Sequence, residues 1–256
     1  MLHYIEPLIK ARRNRQISDH IHLGLFGRED NLIDLSQAQD AMSLHHIKHL
    51  HLSPKKTIVD VGCGFGGTLR LLDNQLMPLH LYGVNIDIRQ IELAKSVKLR
   101  NQVEWLNCDA AKFSQDRSDW ADYILCIEAL FHFPDPLGFF KASAQALHNE
   151  GRLIVSTLII KQPDEAMQRS IKCVCDAYAP WPFPQMTRNN IVKMSEISGL
   201  RVSHYEDLSV NCLPSLKWMS PECPDVITNT PVIELRRLFE AGRISYPMFV
   251  FEKSLE

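Results

Sequence analysis

A glycine-rich loop carries the clearest chemical signal in this chain. The loop reads Asp60-Val61-Gly62-Cys63-Gly64-Phe65-Gly66-Gly67, and it lies between an apolar run and a helical pattern of leucines. Glycine lets a backbone take positive φ angles and approach a ligand closely. The spacing of Gly62, Gly64 and Gly67 matches the fingerprint of dinucleotide-binding loops, and the alternative interpretation is a tight turn without a ligand.

Two positions disfavour a nicotinamide dinucleotide as the ligand. Asp60 lies two residues before Gly62, where a carboxylate would face a pyrophosphate, so it favours a ligand with positive charge such as an amino acid ammonium group. A dinucleotide-binding fold also requires Asp or Glu about 20 residues further on. This chain has Asn85 there and Asp87 two residues later, and Asn85 can still hydrogen-bond a ribose hydroxyl.

Alternating strands and helices must position this loop. Apolar runs bounded by turn residues predict strands at 56–62, 79–86, 103–106, 120–127, 152–158, 200–208 and 246–252. Helical patterns separate the strands up to about residue 160, which predicts a parallel sheet with helices on both faces. We expect Ser36 to N-cap a helix that ends near Leu50, and Thr187 to N-cap a helix that ends near Gly199.

Four motifs in order give the chain a family resemblance. Class I S-adenosylmethionine-dependent methyltransferases that act on small molecules have motifs similar to the glycine loop, Gly83-Val84-Asn85-Ile86, Asn107-Cys108-Asp109-Ala110 and Glu128-Ala129-Leu130-Phe131-His132-Phe133-Pro134-Asp135-Pro136. The similarity covers residues 50–160 well and residues 187–253 loosely. It implies an α/β fold: a doubly wound, Rossmann-like sheet of seven mostly parallel strands with an antiparallel last strand, an N-terminal helical lid and a cap insert.

The resemblance also implies a cofactor, S-adenosylmethionine, and residues that would bind it. The backbone of Gly62, Cys63, Gly64 and Gly66 would pack against the methionine portion, and Asp60 would hold the loop or the ammonium group. The end of the second strand, Asn85 and Ile86, would take the ribose. Asp109 would accept a hydrogen bond from the adenine amine, and Ala110 would supply a backbone N–H.

Glu128 and His132 are the candidates for the chemical step. His132 lies just past the fourth predicted strand, where open α/β sheets bind ligands, and its ordinary pKa of about 6.5 suits proton removal at neutral pH. Glu128 could bind a polar substrate group, act as a base or stabilise a cation. Both residues also have structural interpretations, as a packing histidine and as a cap of nearby backbone. Methyl transfer depends mainly on alignment, so a base helps but is not required.

Aromatic residues of the predicted cap insert are candidates for the substrate pocket. We expect Tyr178, Trp181 and Phe183 to line an apolar or cationic pocket, and a cap core is the alternative. His22 belongs to the predicted N-terminal lid and is a further pocket candidate.

Histidines cluster where the helix that begins near Ser36 ends. His45 and His49 are four residues apart and share a helix face, which is the spacing of a two-histidine metal site. No Glu or Cys completes the set nearby in the sequence. We therefore expect a polar helix face without a metal.

Composition limits the class of protein and of partner. The chain has 256 residues, 45% of them hydrophobic, and a net charge of −2, which predicts a folded globular protein that does not bind nucleic acid. No apolar stretch reaches the roughly 20 residues of a membrane span. Seven scattered cysteines without a Cys-x-x-Cys motif predict free thiols in the cytoplasm. We expect one domain, with a lid at 1–50, a cofactor core at 51–160, a cap insert at 161–186 and a C-terminal part at 187–256.

Several functions stay open at this point. The first is methyl transfer to the O, N or C atom of a small-molecule acceptor, natural-product and lipid-like acceptors included. The same cofactor could serve aminocarboxypropyl transfer or cyclisation of its amino acid chain, with methylthioadenosine as by-product. It could also methylate an alkene and leave a carbocation for terpenoid cyclisation. A non-catalytic binding subunit and a nicotinamide oxidoreductase are further alternatives. The acceptor and the oligomeric state, a homodimer included, do not follow from the sequence.

Overall fold

A seven-stranded sheet forms the middle of the structure. The computed structural model describes residues 5–27, 33–161, 165–178, 185–218 and 230–254. In chain order the strands are β1 (Thr57–Val61), β2 (His80–Asn85), β3 (Val103–Asn107), β4 (Ala121–Ile127), β5 (Leu147–Ser156), β6 (Ile159–Ile160), β7 (Leu200–Asp207), β8 (Ile244–Ser245) and β9 (Pro247–Lys253). β6 and β8 pair with each other in a separate antiparallel sheet.

The order of the main sheet is β3-β2-β1-β4-β5-β9-β7. β1 to β5 are mutually parallel, whereas β9 is antiparallel to both of its neighbours, β5 and β7. This confirms the predicted doubly wound sheet with an antiparallel last strand. Strand order reverses between β1 and β4, and in such sheets the crevice at that point is where ligands bind.

The apolar runs that predicted β1 and β4 are buried on both faces of the sheet. Ile58 and Val59 in β1, and Ile124 and Leu125 in β4, have no exposed surface. Each such side chain contributes roughly 1.5–3 kcal/mol through burial. β5 begins at Leu147, five residues before its predicted start at residue 152. β6 and β8 were not predicted, because two residues are too few to show an alternation.

Ten helices accompany the sheet over the described residues: α1 (Ile5–Arg13), α2 (Leu35–Ile47), α3 (Gly67–Asp73), α4 (Ile88–Lys95), α5 (Pro136–Ala146), α6 (Gln168–Tyr178), α7 (Arg188–Ile197), α8 (Ser209–Cys212), α9 (Ser215–Trp218) and α10 (Thr230–Glu240). In this part of the chain we find no helix whose length and apolar character would suffice to cross a bilayer.

The structure confirms one of the two predicted N-caps and contradicts the other. Thr187 caps α7, and its side chain accepts a hydrogen bond from the backbone N–H of Asn190. The prediction that Ser36 caps α2 is wrong, because Asp34 occupies that position and forms a capping box with Gln37. The carboxylate accepts from the Gln37 N–H at 2.8 Å, and the Gln37 side chain accepts from the Asp34 N–H at 3.0 Å. A reciprocal pair satisfies two backbone donors, which Ser36 alone would not.

The segment before α2 is fixed by contacts from both ends of the chain. The backbone N–H of Gly24 donates to Ser215 Oγ at 2.8 Å, and that of Leu25 donates to the Ala38 carbonyl at 2.8 Å. A Cβ on Gly24 would lie 2.5 Å from the Cβ of Ala38, so only glycine permits this approach. The segment is thereby held over the carboxyl ends of the parallel strands.

Candidate active site

A cavity of about 920 Å³ opens at the carboxyl ends of β1, β2 and β4. Its walls come from the glycine loop, the loops after β2, β3 and β4, residues 19–23 and the helices α6 and α10. Pockets for small ligands range over about 300–1,000 Å³, so this one has room for a cofactor and a second molecule.

The first turn of the glycine loop has a fixed backbone. The N–H groups of Gly62 and Cys63 both donate to the Val84 carbonyl, at 2.8 and 3.1 Å. Gly62 has a φ of +81°, and a Cβ there would lie 2.4 Å from the Cβ of Ala129. Both facts require glycine, because an L side chain would be strained and would collide. Gly62, Cys63 and Gly64 all line the cavity, as predicted for cofactor-binding residues.

Gly66, which was predicted to bind the cofactor, and its neighbour Gly67 lie differently with respect to the cavity. Gly66 does not line the cavity, because its Cα faces Ala94 and Trp105, whose atoms would lie 3.2 and 3.3 Å from an added Cβ. Its glycine therefore serves packing between the loop and α4. Gly67 does line the cavity, and an added Cβ would lie 2.5 Å from the His20 ring.

Asp60 is a buried carboxylate on the cavity wall. Asp60 is 3% exposed, and burial raises the pKa of its carboxyl group to about 7. Among the described residues, no hydrogen bond and no nearby cation counteracts the effect of burial on the pKa of Asp60. A ligand with positive charge is what such a group lacks, since a cation nearby favours the ionised carboxylate.

Asp60 predicts a stability that falls with rising pH. A carboxyl group whose folded pKa of about 7 exceeds its ordinary value of 3.8 stabilises the fold fully below that ordinary value, and this contribution is lost as the pH rises through 7. The shift corresponds to at most about 4 kcal/mol. We expect Asp60→Asn to remove about half of the fall in the free energy of unfolding between pH 5 and pH 8, measured by urea denaturation, because the pKa of Glu128 is also raised to about 7 and accounts for a similar part.

The exposed residue Asp116 supplies the control for this experiment. Asp116→Asn should leave the difference between the two pH values as it is in the wild type. The assignment of the buried charge to Asp60 fails if the two variants respond to pH alike.

The end of β2 presents an amide and an apolar side chain. Asn85 is buried. In its side chain, Nδ2 donates to Gln90 Oε1 at 3.3 Å and Oδ1 accepts from the Asp87 N–H at 3.2 Å. Ile86 is 59% exposed and lines the cavity. An exposed isoleucine on a cavity wall can cover the flat face of a ring system. The structure thus brings together both residues predicted for the ribose end.

The loop after β3 brings the third predicted pair to the same wall. Asp109 and Ala110 line the cavity. One carboxylate oxygen of Asp109 accepts from the Ala111 N–H at 2.8 Å, which holds the side chain in place. Ala110 is 7% exposed, so its backbone approaches the cavity without a bulky side chain in front of it.

The chemistry of these walls fits the cofactor that the sequence implies. S-adenosylmethionine carries an ammonium group and a sulfonium, and the buried Asp60 carboxyl has no partner that balances it among the described residues. Gly62 and Gly64 leave space for close approach, and Ile86 offers an apolar surface for the adenine. Asp60, Asn85 and Asp109 would hold the amino acid end, the ribose and the base, respectively.

Glu128 occupies the most unusual position on the cavity wall. It follows β4 directly, and its φ of 54° places a non-glycine residue in the left-handed region. Its Oε2 accepts from the Leu23 N–H at 2.7 Å, and its carboxyl group also hydrogen-bonds the Tyr246 side chain. Burial raises the pKa of Glu128 to about 7 despite these bonds. Backbone strain of this kind concentrates at functional sites.

His132 lies four residues further on and also lines the cavity. It ends a short turn of 3₁₀ helix, Leu130–His132, and its ring packs on Phe131 with the two ring centroids 4.1 Å apart. The structure therefore brings both predicted catalytic residues to one cavity, with Glu128 the more deeply held of the two.

His22 belongs to a chain of hydrogen bonds that the sequence did not reveal. Nδ1 of His22 donates to the Leu23 carbonyl at 2.8 Å. Nε2 of His22 lies 2.9 Å from His20 Nδ1 and 3.0 Å from Ser43 Oγ. At the far end of the chain, His20 Nε2 lies 2.9 Å from Asp40 Oδ1. The carbonyl and the carboxylate accept, so both outer nitrogens carry protons. The Ser43 hydroxyl can bridge the two inner nitrogens, since it also lies 3.5 Å from His20 Nδ1. Burial lowers the pKa of the His22 ring well below its ordinary value.

Among the described residues, α6 of the predicted cap insert and α10 of the C-terminal part line the cavity with apolar side chains. α6 lines the cavity with Val174 and Ala177, and α10 lines it with Val232 and Leu235. Each pair is three residues apart, a helical spacing that could have identified these positions. Of the predicted aromatic residues, Tyr178 ends α6, whereas Trp181 and Phe183 lie outside the described residues.

The charged side chains of the cavity are mostly acidic. Its described lining contains six carboxylates, from Asp19, Asp60, Asp87, Asp109, Glu128 and Asp176. Arg89 is the one arginine or lysine of that lining, and its guanidinium is bound by Asp87 at 2.6 Å and by Glu6. The cavity therefore favours cations and neutral apolar groups over anions.

Comparisons with known proteins agree with this geometry. Residues 59–155 match the model of a methyltransferase domain family. The S-adenosylmethionine-dependent methyltransferase UmaA of Mycobacterium tuberculosis is 30% identical over an alignment of 162 residues, and the alignment covers 57% of this chain and 51% of that protein. Methyltransferase GfsG of Streptomyces halstedii is 26% identical over 203 residues, 77% of this chain and 72% of that protein. The alignment thus spans about half the length of the first of these relatives.

The fold has a counterpart among solved structures. The cyclopropane synthase MmaA2 from Mycobacterium tuberculosis superposes with a TM-score of 0.75 at 20% identity, over 91% of this chain and 90% of that one. Sheet order, the glycine loop after β1 and the match over residues 59–155 lead to one family. Residues 59–155 of this chain form a methyltransferase domain of the class I S-adenosylmethionine-dependent family, whose cofactor gives the family its name.

Proposed function

We propose that this chain transfers the methyl group of S-adenosylmethionine to a small, largely apolar acceptor that is neutral or cationic, and that Glu128 receives the acceptor's proton or holds its polar group. The observation that carries the proposal is the Glu128 carboxyl on the cavity wall at the end of β4. Its pKa of about 7 makes it a carboxylate in part of the molecules and an acid in the rest at neutral pH.

The walls of the cavity support an apolar acceptor. Beyond the cofactor-binding loops much of the lining is aliphatic or aromatic, with Leu23, Phe131, Leu158, Val174 and Leu235 among its members. The acidic groups disfavour a phosphate or carboxylate on the acceptor, because like charges repel most strongly where water is excluded. An acceptor with one hydroxyl, amine or alkene group fits this surface best.

The residues of this chain align, deprotonate and exclude water. The cofactor supplies a methyl group on a positively charged sulfur, which is electrophilic without activation. Leu23 and Tyr246 fix the Glu128 carboxyl from two sides, so its free lone pairs have a defined direction. Alignment of this kind supplies on the order of 7–11 kcal/mol, and a positioned base adds about 10²- to 10⁴-fold in rate.

Methylation of an alkene followed by cyclisation is a second candidate. The observation that favours it is the same carboxylate, which would stabilise a carbocation in an otherwise apolar cavity. The solved neighbour MmaA2 is named as a cyclopropane synthase. Methylation of any acceptor yields S-adenosylhomocysteine, whereas transfer of the amino acid chain yields methylthioadenosine.

The test combines binding with by-product analysis. Thermal unfolding is measured with S-adenosylmethionine, S-adenosylhomocysteine and NADH in parallel, and the first two should stabilise the protein by roughly 2.7 kcal/mol at 100 times their Kd. The protein is then given S-adenosylmethionine with an alkylphenol, an alkylamine, an alkene or an alkyl diphosphate of equal chain length. We expect S-adenosylhomocysteine from one of the first three acceptors and none from the diphosphate.

Three results would contradict the proposal. Stabilisation by NADH alone would mean that the glycine loop binds a dinucleotide. Methylthioadenosine as the main by-product would replace methyl transfer by transfer of the amino acid chain. Turnover of the diphosphate alone would refute the neutral or cationic acceptor.

A further inference from the structure

A second group of potential ligand atoms lies outside the cavity, on the surface between α2 and β7. His45 is in the last turn of α2, His49 is in the 3₁₀ turn that follows, and Glu206 is on β7. One ligand atom from each residue lies within 4.8 Å of the other two. The closest pair is His45 Nε2 and Glu206 Oε2, 2.8 Å apart.

A third histidine accompanies this group of two histidines and one glutamate. His204, two residues before Glu206 on β7, stacks on His49 with ring centroids 5.1 Å apart, and its Nε2 is 3.9 Å from Glu206 Oε2. The side chains of His45 and Glu206 are 23% and 40% exposed. An ion from solvent can therefore reach the group without any rearrangement of the core.

We infer that His45, His49 and Glu206 bind a divalent transition-metal ion such as Zn²⁺, with His204 or a water molecule as the fourth ligand. Two imidazole nitrogens and a carboxylate oxygen are ligands that zinc accepts, and four ligands are its usual number. Metal–ligand bonds of about 2.0–2.2 Å place tetrahedral ligand atoms about 3.3 Å apart. Rotation of these partly exposed side chains would adjust the present spacings, which run from 2.8 Å to at most 4.8 Å, to that value.

Other charges near the group permit a cation. Arg152 lies close to His49, where its Nη1 donates to the His49 carbonyl at 3.2 Å, but Glu252 accepts from its Nε at 3.0 Å and offsets its charge.

Metal binding here would join two distant parts of the chain. α2 would be tied to β7, the edge strand of the sheet. The opposite side of α2 carries Asp40 and Ser43, which hold His20 and His22 at the cavity wall. The ion would thus stabilise the helix that supports the N-terminal segment. This inference does not depend on the proposed methyl transfer.

The experiment measures Zn²⁺ binding to the full chain, freed of any histidine tag. Isothermal titration of the metal-free protein with ZnCl₂ should show one ion per chain, and thermal unfolding should shift upward with Zn²⁺. His49→Gln and Glu206→Gln should each weaken binding by on the order of 10-fold or more, because each removes a ligand. The controls His80→Gln and Glu92→Gln alter exposed residues elsewhere and should bind as the wild type does.

The outcomes separate a site from adventitious binding. Loss of affinity in the two ligand variants and not in the controls supports the site. Absence of binding in the wild type overturns it, as does binding that persists in the double variant His49→Gln/Glu206→Gln. The far-UV circular dichroism of each variant should match that of the wild type, since the altered side chains are not in the core.

Discussion

Gly62→Ala is expected to abolish S-adenosylmethionine binding and to destabilise the fold by about 2–5 kcal/mol. The added methyl group would lie 2.4 Å from the Cβ of Ala129, and the backbone would keep a φ of +81° that disfavours alanine. Relief requires the loop to move away from Val84, whose carbonyl accepts from two of its N–H groups. A displacement of about 1 Å at such a site can cost 10²-fold in binding or rate.

Gly199→Ala is the matched control for this prediction. Gly199 has nearly the same φ, +78°, but an added Cβ there would meet nothing within 4 Å. It should cost about 1–2 kcal/mol of backbone strain and leave cofactor affinity unchanged. Urea unfolding and calorimetric titration with S-adenosylmethionine measure both quantities. Equal effects of the two variants would show that strain alone, and not the close approach to Ala129, makes Gly62 necessary.

Glu128→Gln should lower kcat by about 10²- to 10⁴-fold if the carboxyl receives the acceptor's proton. Glutamine keeps the oxygen that accepts from the Leu23 N–H at 2.7 Å, so the loop and the cofactor affinity should survive. In the wild type, kcat should rise with pH as Glu128 ionises, with a midpoint at its pKa of about 7. The variant should lose that rise.

Two further variants make the Glu128 experiment decisive. Glu92→Gln, an exposed substitution of the same type, should have no effect on kcat or on its pH profile. His132→Gln tests the other candidate on the same wall. Should Glu128→Gln retain kcat within about twofold, the carboxyl would be a structural group, and a pH dependence that disappears in His132→Gln would move the base to that histidine.

The sheet could be predicted from the sequence because each strand is recognisable from its own short stretch of residues. Runs such as Ile58-Val59 and Ile124-Leu125 are buried on both faces, and turn residues bound them. The glycine loop was equally readable, because Gly62 and Gly64 need positive φ angles that other residues avoid. A residue that is required by its own backbone conformation can be recognised at its own position in the sequence.

Contacts between residues that are far apart in the sequence could not be predicted in this way. Gly66 was assigned to the cofactor, but the contact that explains it is with Trp105, almost forty positions away. The carboxylate beside His45 and His49 comes from Glu206 on the far edge strand. The bond between Leu23 and Glu128 likewise joins residues that only the folded sheet brings together.

The place of β9 in the sheet has a consequence for how the chain is made. β9 (Pro247–Lys253) lies between β5 and β7, although β7 precedes it in the sequence. During synthesis β7 leaves the ribosome before its only neighbour in the sheet exists, and β5 keeps an unpaired edge until then. The β5 residues that later face β9, among them Leu153, Ile154 and Val155, are fully buried in the finished sheet. A chain arrested before residue 247 would expose that apolar edge as a template for pairing with other chains.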